Sequence, residues 1–508
     1  MAGRQGRFFG QIRSFAALRG GLAGAEQLRR IGVVDVGSNS VRLVVFDGAA
    51  RSPAYFYNEK VLAGLGTGLA GSGRLNPDGI ERALRALHRF TALADRMEVG
   101  ALTGVATAAV REARDGPAFC ERVYRETGLR LLVLDGAEEA RLAAQGVLLG
   151  WPEAEGLVAD MGGASMELAR VGGGKVLAGV TAALGPQSIA EGERGDRHIA
   201  AEIARLRGGL PGASGTLHLV GGSFRAIARI DMARRDYPLH VLHDYRMTPA
   251  AAVETAGWIA GQPPEALRAH SESSAARLAL VPRAARVLGP LVEALAPGEI
   301  KISAYGLREG LLYEHMPPSL RARDPLLEAA AHMERAGARF PGYGRALFRW
   351  LRPLYPEASA GRLRLIEAAC LLHDVNWRAH PDYRAEICFE TVTRANLSGL
   401  THAERVWLGL ALLNRYKSGK RAEIPEAMRA LAGDDEASAV ALGRALRLGS
   451  MLTGASAEAL EETRLEVAGE TLRLTLGGEA AELTGEVVQK RLASLARAHA
   501  LAPELRVT

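Results

Sequence analysis

Long apolar runs are missing from this chain. None reaches the roughly 18 to 20 residues that a bilayer crossing needs, so no membrane partner or integral membrane protein is expected. Cysteine is scarce: Cys120, Cys370 and Cys388 form no C-x-x-C pair and no metal-type spacing. That argues against a disulfide framework or a zinc site and fits a reducing compartment, with the cytoplasm as the expected location. An excess of one charge is missing from most of the chain as well. Residues 1–30 hold Arg4, Arg7, Arg13, Arg19, Arg29 and Arg30 against Glu26, which is +5 of the total +6. The body is nearly neutral, so its charge gives no reason to expect nucleic acid as a partner. The 1–30 segment lacks a secretory apolar core and reads as a disordered basic tail, although its Arg-rich, acid-poor make-up overlaps organelle transit peptides.

What is present is an ordinary globular composition, 48% apolar and 24% charged, over 508 residues, enough for two to four domains. From 31 to 150 strand and helix signals alternate: "IGVVDV", "VRLVVF", a helix from about Pro77 to Met97, "VGALTGVAT", a helix near Gly116 to Thr127, "LRLLVLDG" and "AEEARLAAQGVLLG". A second α/β stretch runs from 151 to 313, through "LVADMGGASMELARV", "TLHLVGG" and "IKISAYG". Beyond 314 strand signals fade, and the C-terminal domain, 314–508, is Ala/Leu/Arg/Glu-rich at helical spacing to about residue 460, with "TRLEVAGETLRLTL" alternating like a hairpin and "MPPSLRARDP" as a linker.

The stretch "DVGSNSVRL" separates two β-branched runs with more turn residues than a two-residue hairpin requires. Set over "DMGGASMEL", it aligns Asp35 with Asp160, Gly37 with Gly162, Ser40 with Ser165 and Leu43 with Leu168. Identities that fall at the corner and not in the apolar flanks point to a duplicated unit: strand, small-residue corner, returning strand. Small residues let backbone N–H groups approach a ligand and serine hydroxyls add donors, so each corner is a candidate anion nest. The nests are Gly37, Ser38, Asn39 and Ser40 in the first copy, and Gly162, Gly163, Ala164 and Ser165 in the second. An aspartate heading each corner, Asp35 or Asp160, is placed to hold Mg²⁺ or its waters.

This duplicated corner resembles the signature of the actin-like phosphotransferase superfamily, which also contains acetate and sugar kinases and Hsp70. Within it, "VDVGSNSVRLVV", "ATAAVREARD", "LDGAEEARLAAQGV", "VADMGGASMEL" and "LVGGSFRAIARI", taken in order over residues 31 to about 310, resemble the exopolyphosphatase and guanosine pentaphosphate phosphohydrolase family. The resemblance implies two actin-like (ribonuclease H-like) α/β domains followed by a mostly α-helical, HD-like C-terminal domain. It implies Glu139 of "DGAEEAR" as the base that deprotonates a water in line with a phosphoanhydride, with Glu138 left to the helix terminus. The resemblance likewise implies Arg111 as the phosphate-holding arginine, a role that suits a guanidinium able to take two phosphate oxygens in one planar contact. Gly221, Gly222, Ser223 and Arg225 form a third corner. The resemblance also implies that Glu167 joins Asp35 and Asp160 in serving Mg²⁺ or the phosphate site. A homodimer is implied only by the resemblance.

The chain departs from the family in two places. Its second corner reads "GGASME" where the family has Gly-Gly-Gly-Ser-Thr-Glu, and an alanine at 164 is expected to resist a positive φ. In "CLLHDVNWRAHPDYRAEI" the pair His373 and Asp374 lacks convincing further ligands, because His332, His380 and Asp382 are poorly spaced. The pair is read as a structural remnant with His373 satisfied by hydrogen bonds. The domain around it is read as a channel extension, with Arg415, Lys417, Lys420 and Arg421 as lining cations. Three functions follow: an exopolyphosphatase acting on inorganic polyphosphate, a guanosine pentaphosphate phosphohydrolase, or an ATP-binding protein of the actin or sugar-kinase kind. The absence of a guanine-reading Asn-Lys-x-Asp stretch favours the first.

Overall fold

The computed structural model describes residues 30–48, 51–210, 215–416 and 424–508. The expected tail, apart from Arg30, and the cations Lys417, Lys420 and Arg421 lie outside them. The chain divides into two compact units, Met1–Arg323 and Asp324–Thr508.

The first unit is built on two sheets. One has the order β3-β2-β1-β4-β5, from Ile31–Val36 (β1), Ser40–Phe46 (β2), Tyr55–Leu62 (β3), Ala101–Ala106 (β4) and Leu131–Val133 (β5). The other comprises Gly156–Met161 (β6), Met166–Gly172 (β7), Lys175–Ala182 (β8), Thr216–Val220 (β9), Tyr245–Met247 (β10) and Glu299–Ile302 (β11), in the order β10-β11-β9-β6-β7-β8. Read from the β8 edge, the second sheet repeats the first strand for strand. Two antiparallel pairings are followed by parallel ones, β1 with β4 and β6 with β9, and β10 is an added antiparallel edge. The duplication inferred from nine residues thus extends to the whole sheet. Strand β10 left no signal because three residues flanked by loops carry no periodicity.

Each sheet has its own apolar core, one around Leu87 and Phe90 of the helix Pro77–Arg96 (α1), the other around Phe224, Ile227 and Leu288. A third core joins them. Helix Gly136–Gly150 (α2) starts from the first sheet, N-capped by Asp135, which accepts from Glu138 N at 2.8 Å. It packs on β7 and β8 of the second sheet and on helix Leu307–Glu314 (α3), which in turn meets β1. The two helices approach so closely that a Cβ at Gly310 would lie 1.8 Å from the Leu142 carbonyl oxygen, and one at Gly146 would lie 2.2 Å from that of Gly306. Both actin-like sheets thus lie in the one compact unit, joined through α2 and α3.

This unit also extends ten residues past the expected boundary. The expected linker is anchored: fully buried Arg51 donates from Nε to the carbonyls of Arg321 and Arg323, and from Nη1 and Nη2 to those of Leu149 and Leu148. A guanidinium removed from water needs such acceptors, and the chain supplies them at its α2 and linker ends.

The second unit is mainly helical and carries the expected hairpin, Thr463–Ala468 (β12) with Thr471–Leu476 (β13). A third strand, Ala502–Val507 (β14), pairs parallel to β13. Its sequence "APELRV" opens with a proline near its start and alternates weakly, which hid it. Among the described residues no helix is long and apolar enough to cross a membrane.

Candidate active site

The two predicted corners are the same object twice. In the first, Asp35 pairs across the ladder with Arg42, and Gly37 N donates to Ser40 O at 3.0 Å. In the second, Asp160 pairs with Glu167, and Gly162 N donates to Ser165 O at 3.0 Å. Each corner is buttressed from behind in the same way. Gly66 N and Gly64 N donate to the carbonyls of Ser38 and Asn39 (2.8 and 3.0 Å), and Gln187 N and Gly185 N to those of Gly163 and Ala164 (2.9 and 3.0 Å). With the carbonyls held, the N–H groups of Ser38, Asn39, Gly163 and Ala164 have no protein acceptor among the described residues. They are donors available to an anion. Ala164 is not among the residues of positive φ, and neither are Gly37, Gly162 and Gly163. The expected conformational conflict at 164 does not arise, because close approach, not a left-handed backbone, is what these corners require.

Both corners open onto one cleft, lined also by Glu139, Glu167, Asp35, Asp160, Gly221, Gly222, Ser223 and Arg225. Gly221, at φ 99°, lies against the second corner, where a Cβ would sit 2.5 Å from the Met161 carbonyl oxygen. Every predicted site residue but one therefore meets in the cleft. Arg111 reaches it only through Glu139: its Nη1 donates to Glu139 Oε1 at 2.8 Å and to Leu134 O at 2.7 Å. The expected phosphate holder is here the partner of the expected base.

Four cations in the cleft escaped the sequence reading: Arg42 of β2, Lys60 of β3, Arg277 and Arg308. Arg308 opens α3, 3.6 Å from Asp35. Gly222 leaves room for the Arg277 guanidinium, which a Cβ there would meet at 1.9 Å. A signal for Arg308 existed in "YGLREG", where a strand runs into a helix through Gly306 and Gly310, much as β9 runs into Gly221, Gly222 and Arg225. Arg42 stood within the opening motif itself. No sequence signal marks Lys60 or Arg277.

The electrostatics follow from crowding in a buried space. Burial, reinforced by Arg308, pushes Arg42 down to about 10, and burial with neighbouring cations also lowers Lys60, Arg225 and Arg277. Each guanidinium keeps its charge but would gain from an anion. Burial raises Asp35 against the pull of Arg308 and Arg42, and takes Asp160 to about 6 against Arg225 and Arg308. Glu139 is pushed up to about 7 by burial, although Arg111 opposes it. Glu167, 4% exposed, is driven well above the carboxylate range by burial and by Glu139, while Thr181 Oγ1 donates to it at 3.1 Å.

In the second unit His373 and Asp374 sit where the sequence placed a remnant of a metal centre. Asp374 is gripped by Arg339, Nε at 2.8 Å and Nη2 at 2.7 Å. His373 is satisfied on one side only: Nδ1 meets Cys370 O at 2.7 Å, while Nε2 is buried without a partner. His380 and Asp382 are largely exposed. No group of three or more His, Cys, Asp or Glu able to hold a metal occurs among the described residues.

A strand-corner-strand unit, repeated on two sheets of one order and closing on a shared cleft, defines the actin-like class of α/β fold. Residues 44–319 match the Ppx/GppA phosphatase family and residues 326–502 the exopolyphosphatase C-terminal family; the chain belongs to the Ppx/GppA phosphatase family. Exopolyphosphatase 1 of Mycobacterium leprae (strain TN) is 34% identical over 142 residues, 27% of this chain and 42% of that protein. Exopolyphosphatase 1 of Mycobacterium tuberculosis (strain ATCC 25618 / H37Rv) is 33% identical over 142 residues, 27% of this chain and 41% of the relative. The match thus spans under half the length of these curated relatives. The crystal structure of the Aquifex aeolicus Ppx/GppA family member aligns with a TM-score of 0.50 at 25% identity, covering 56% of this chain and 97% of that one. An exopolyphosphatase from Cytophaga hutchinsonii aligns at 0.51 and 23% identity, with the same coverage, and shares the fold.

Proposed function

We propose that this chain is a phosphoanhydride hydrolase that removes terminal orthophosphate from inorganic polyphosphate. The observation that carries the substrate is the cleft lining: Arg42, Lys60, Arg225, Arg277 and Arg308 with two N–H corners, and no aromatic ring among the lining residues. A row of cations and backbone donors suits a phosphate chain, whereas a guanine base asks for an apolar or aromatic platform.

The terminal phosphate sits between the corners, its oxygens taken by their N–H groups. Glu139, fixed by Arg111, accepts a proton from water as the water oxygen bonds to the terminal phosphorus. The bridging P–O bond breaks, orthophosphate leaves, and the shortened chain keeps the bridging oxygen, whose charge Arg308 and Arg225 neutralise. Glu167, held by Thr181 Oγ1, stands beside Glu139 and across the ladder from Asp160, and keeps its expected place at the Mg²⁺ site. Asp160 and Asp35 serve Mg²⁺ with it, and one or two carboxylates with substrate phosphates suffice for that ion. Bound there, the ion would neutralise charge on the phosphate oxygens.

Guanosine pentaphosphate is the second substrate reading, since it offers the same terminal linkage. Phosphate release from long polyphosphate, guanosine pentaphosphate and ATP, by wild type and Glu139→Gln, tests the assignment. Polyphosphate should give the highest kcat/KM, and the variant should lose activity on every substrate. A preference for the pentaphosphate overturns the substrate, and an active variant overturns the base.

A further inference from the structure

We propose that the remnant metal centre of the second unit is an anion site that binds a phosphate group, separate from the catalytic cleft. The centre cannot take a cation in the ordinary way, because both oxygens of Asp374 are held by Arg339. What surrounds it is positive charge in excess. Tyr416 is the hub. Its hydroxyl donates to His373 O at 3.1 Å, and its carbonyl accepts from Arg447 Nη1 at 3.1 Å. Over its ring lie the guanidiniums of Arg415, 4.5 Å from the centroid, and Arg384, at 5.4 Å.

Arg415 is the anomaly. It is 7% exposed, makes no hydrogen bond among the described residues, and its Nε is buried without a partner. Burial lowers its basicity, and the carboxylate that acts on it, Asp374, already belongs to Arg339. A buried guanidinium left without acceptors is costly unless something neutralises it. Arg447 is held at about 10 by burial and by the cations Arg491 and Arg415.

One further group selects the anion. The Nδ1 contact to a carbonyl requires His373 to carry its proton there, so the neutral ring presents Nε2 as a bare acceptor, buried and unpartnered. A ligand that satisfies this neighbourhood needs anionic oxygens for Arg415 and a hydroxyl proton to give. Hydrogen phosphate has both, and so does the protonated end group of a phosphate chain. Sulfate has the oxygens without the proton. The site does not depend on the substrate assigned to the cleft, and it gives the second unit a means of responding to phosphate.

Equilibrium dialysis of labelled inorganic phosphate against the full chain tests this. Arg415→Met should lose one equivalent of bound phosphate per chain, with a melting temperature in phosphate-free buffer equal to or above that of wild type, because an uncompensated charge has gone. Arg415→Lys keeps the charge without the fork and should weaken that equivalent at least tenfold; it also stands in if the methionine variant fails to fold. Sulfate should compete poorly. In the Glu139→Gln background, displacement by tripolyphosphate identifies a chain end as occupant, and retention identifies free phosphate; each requires Arg415. Equal phosphate stoichiometry and affinity in wild type and both variants overturns the site.

Discussion

The first and second corners of the N-terminal unit have one backbone and different chemistry. Both carry an aspartate at the end of the entering strand, and in both a loop behind ties down the same two carbonyls. They differ in the residue across the ladder: Arg42 faces Asp35, and Glu167 faces Asp160. One position turns a copied clamp into two tools. The arginine adds a cation to the cleft lining, and the glutamate a buried carboxylate beside Glu139. Duplication conserved the geometry because it is set by main-chain hydrogen bonds, while the side chain pointing into the cleft was free to diverge.

The largest expected effect comes from removing the carboxylate that lies between the two corners and belongs to neither. Glu139→Gln should lower kcat by about 10²- to 10⁴-fold with substrate binding retained, read by turnover and by binding of a short polyphosphate. The asymmetry can next be erased. Arg42→Glu makes the first corner a chemical copy of the second and sets a carboxylate beside Asp35, so KM for polyphosphate should rise about 10- to 100-fold with a smaller change in kcat. An unchanged KM would remove Arg42 from the phosphate path.

Asp160→Asn should raise the Mg²⁺ concentration for half-maximal activity by about tenfold, since an amide is a poorer partner for a hard cation. The same change at Asp35, which already has Arg308 at 3.6 Å, should act less. Equal titration curves would show that the two aspartates share the ion evenly.

The pH profile follows from Glu139, which must be ionised to act and whose pKa burial raises to about 7. The acidic limb of kcat/KM should therefore bend near pH 7, and Arg111→Met should move the bend upward, because Arg111 opposes the rise. The sign for stability is the reverse of an ordinary ion pair. The folded state holds this proton more tightly than the unfolded one, so the group favours folding below its unfolded pKa near 4.5, and that contribution is lost as pH climbs to 7. Glu139→Gln should accordingly raise the melting temperature at pH 8 and leave it nearly unchanged at pH 4.5. The smallest effect belongs to Ala164→Gly, expected to stay within about threefold in kcat/KM because residue 164 needs no positive φ.

Much of this site was legible from one dimension. Asp35 to Ser40, Asp160 to Ser165, Glu139 and the Gly221 corner announce themselves because each lies within a few residues of a strand end, where local spacing and small side chains set the geometry. The alternation of strands and helices was legible for the same local reason. Less visible was how far the duplication reaches: Gly64 and Gly185 are separated from their corners by whole strands, and only the sheet brings them behind Asn39 and Ala164.

By itself, then, the sequence determined which residues can approach a phosphate closely and which carboxylate heads a helix, since those properties depend on neighbours along the chain. Tertiary structure alone decided which arginines matter. Among 63 lysines and arginines no single cation is distinctive, and Arg42, Lys60, Arg277 and Arg308 acquire meaning only by converging on one cleft. It also gave Arg111 to Glu139, closed Asp374 with Arg339 and left Arg415 Nε without a hydrogen-bond partner. The physical reason is range: a corner's hydrogen bonds are made between near neighbours, whereas the charge balance of a buried space is summed over every segment that folds around it.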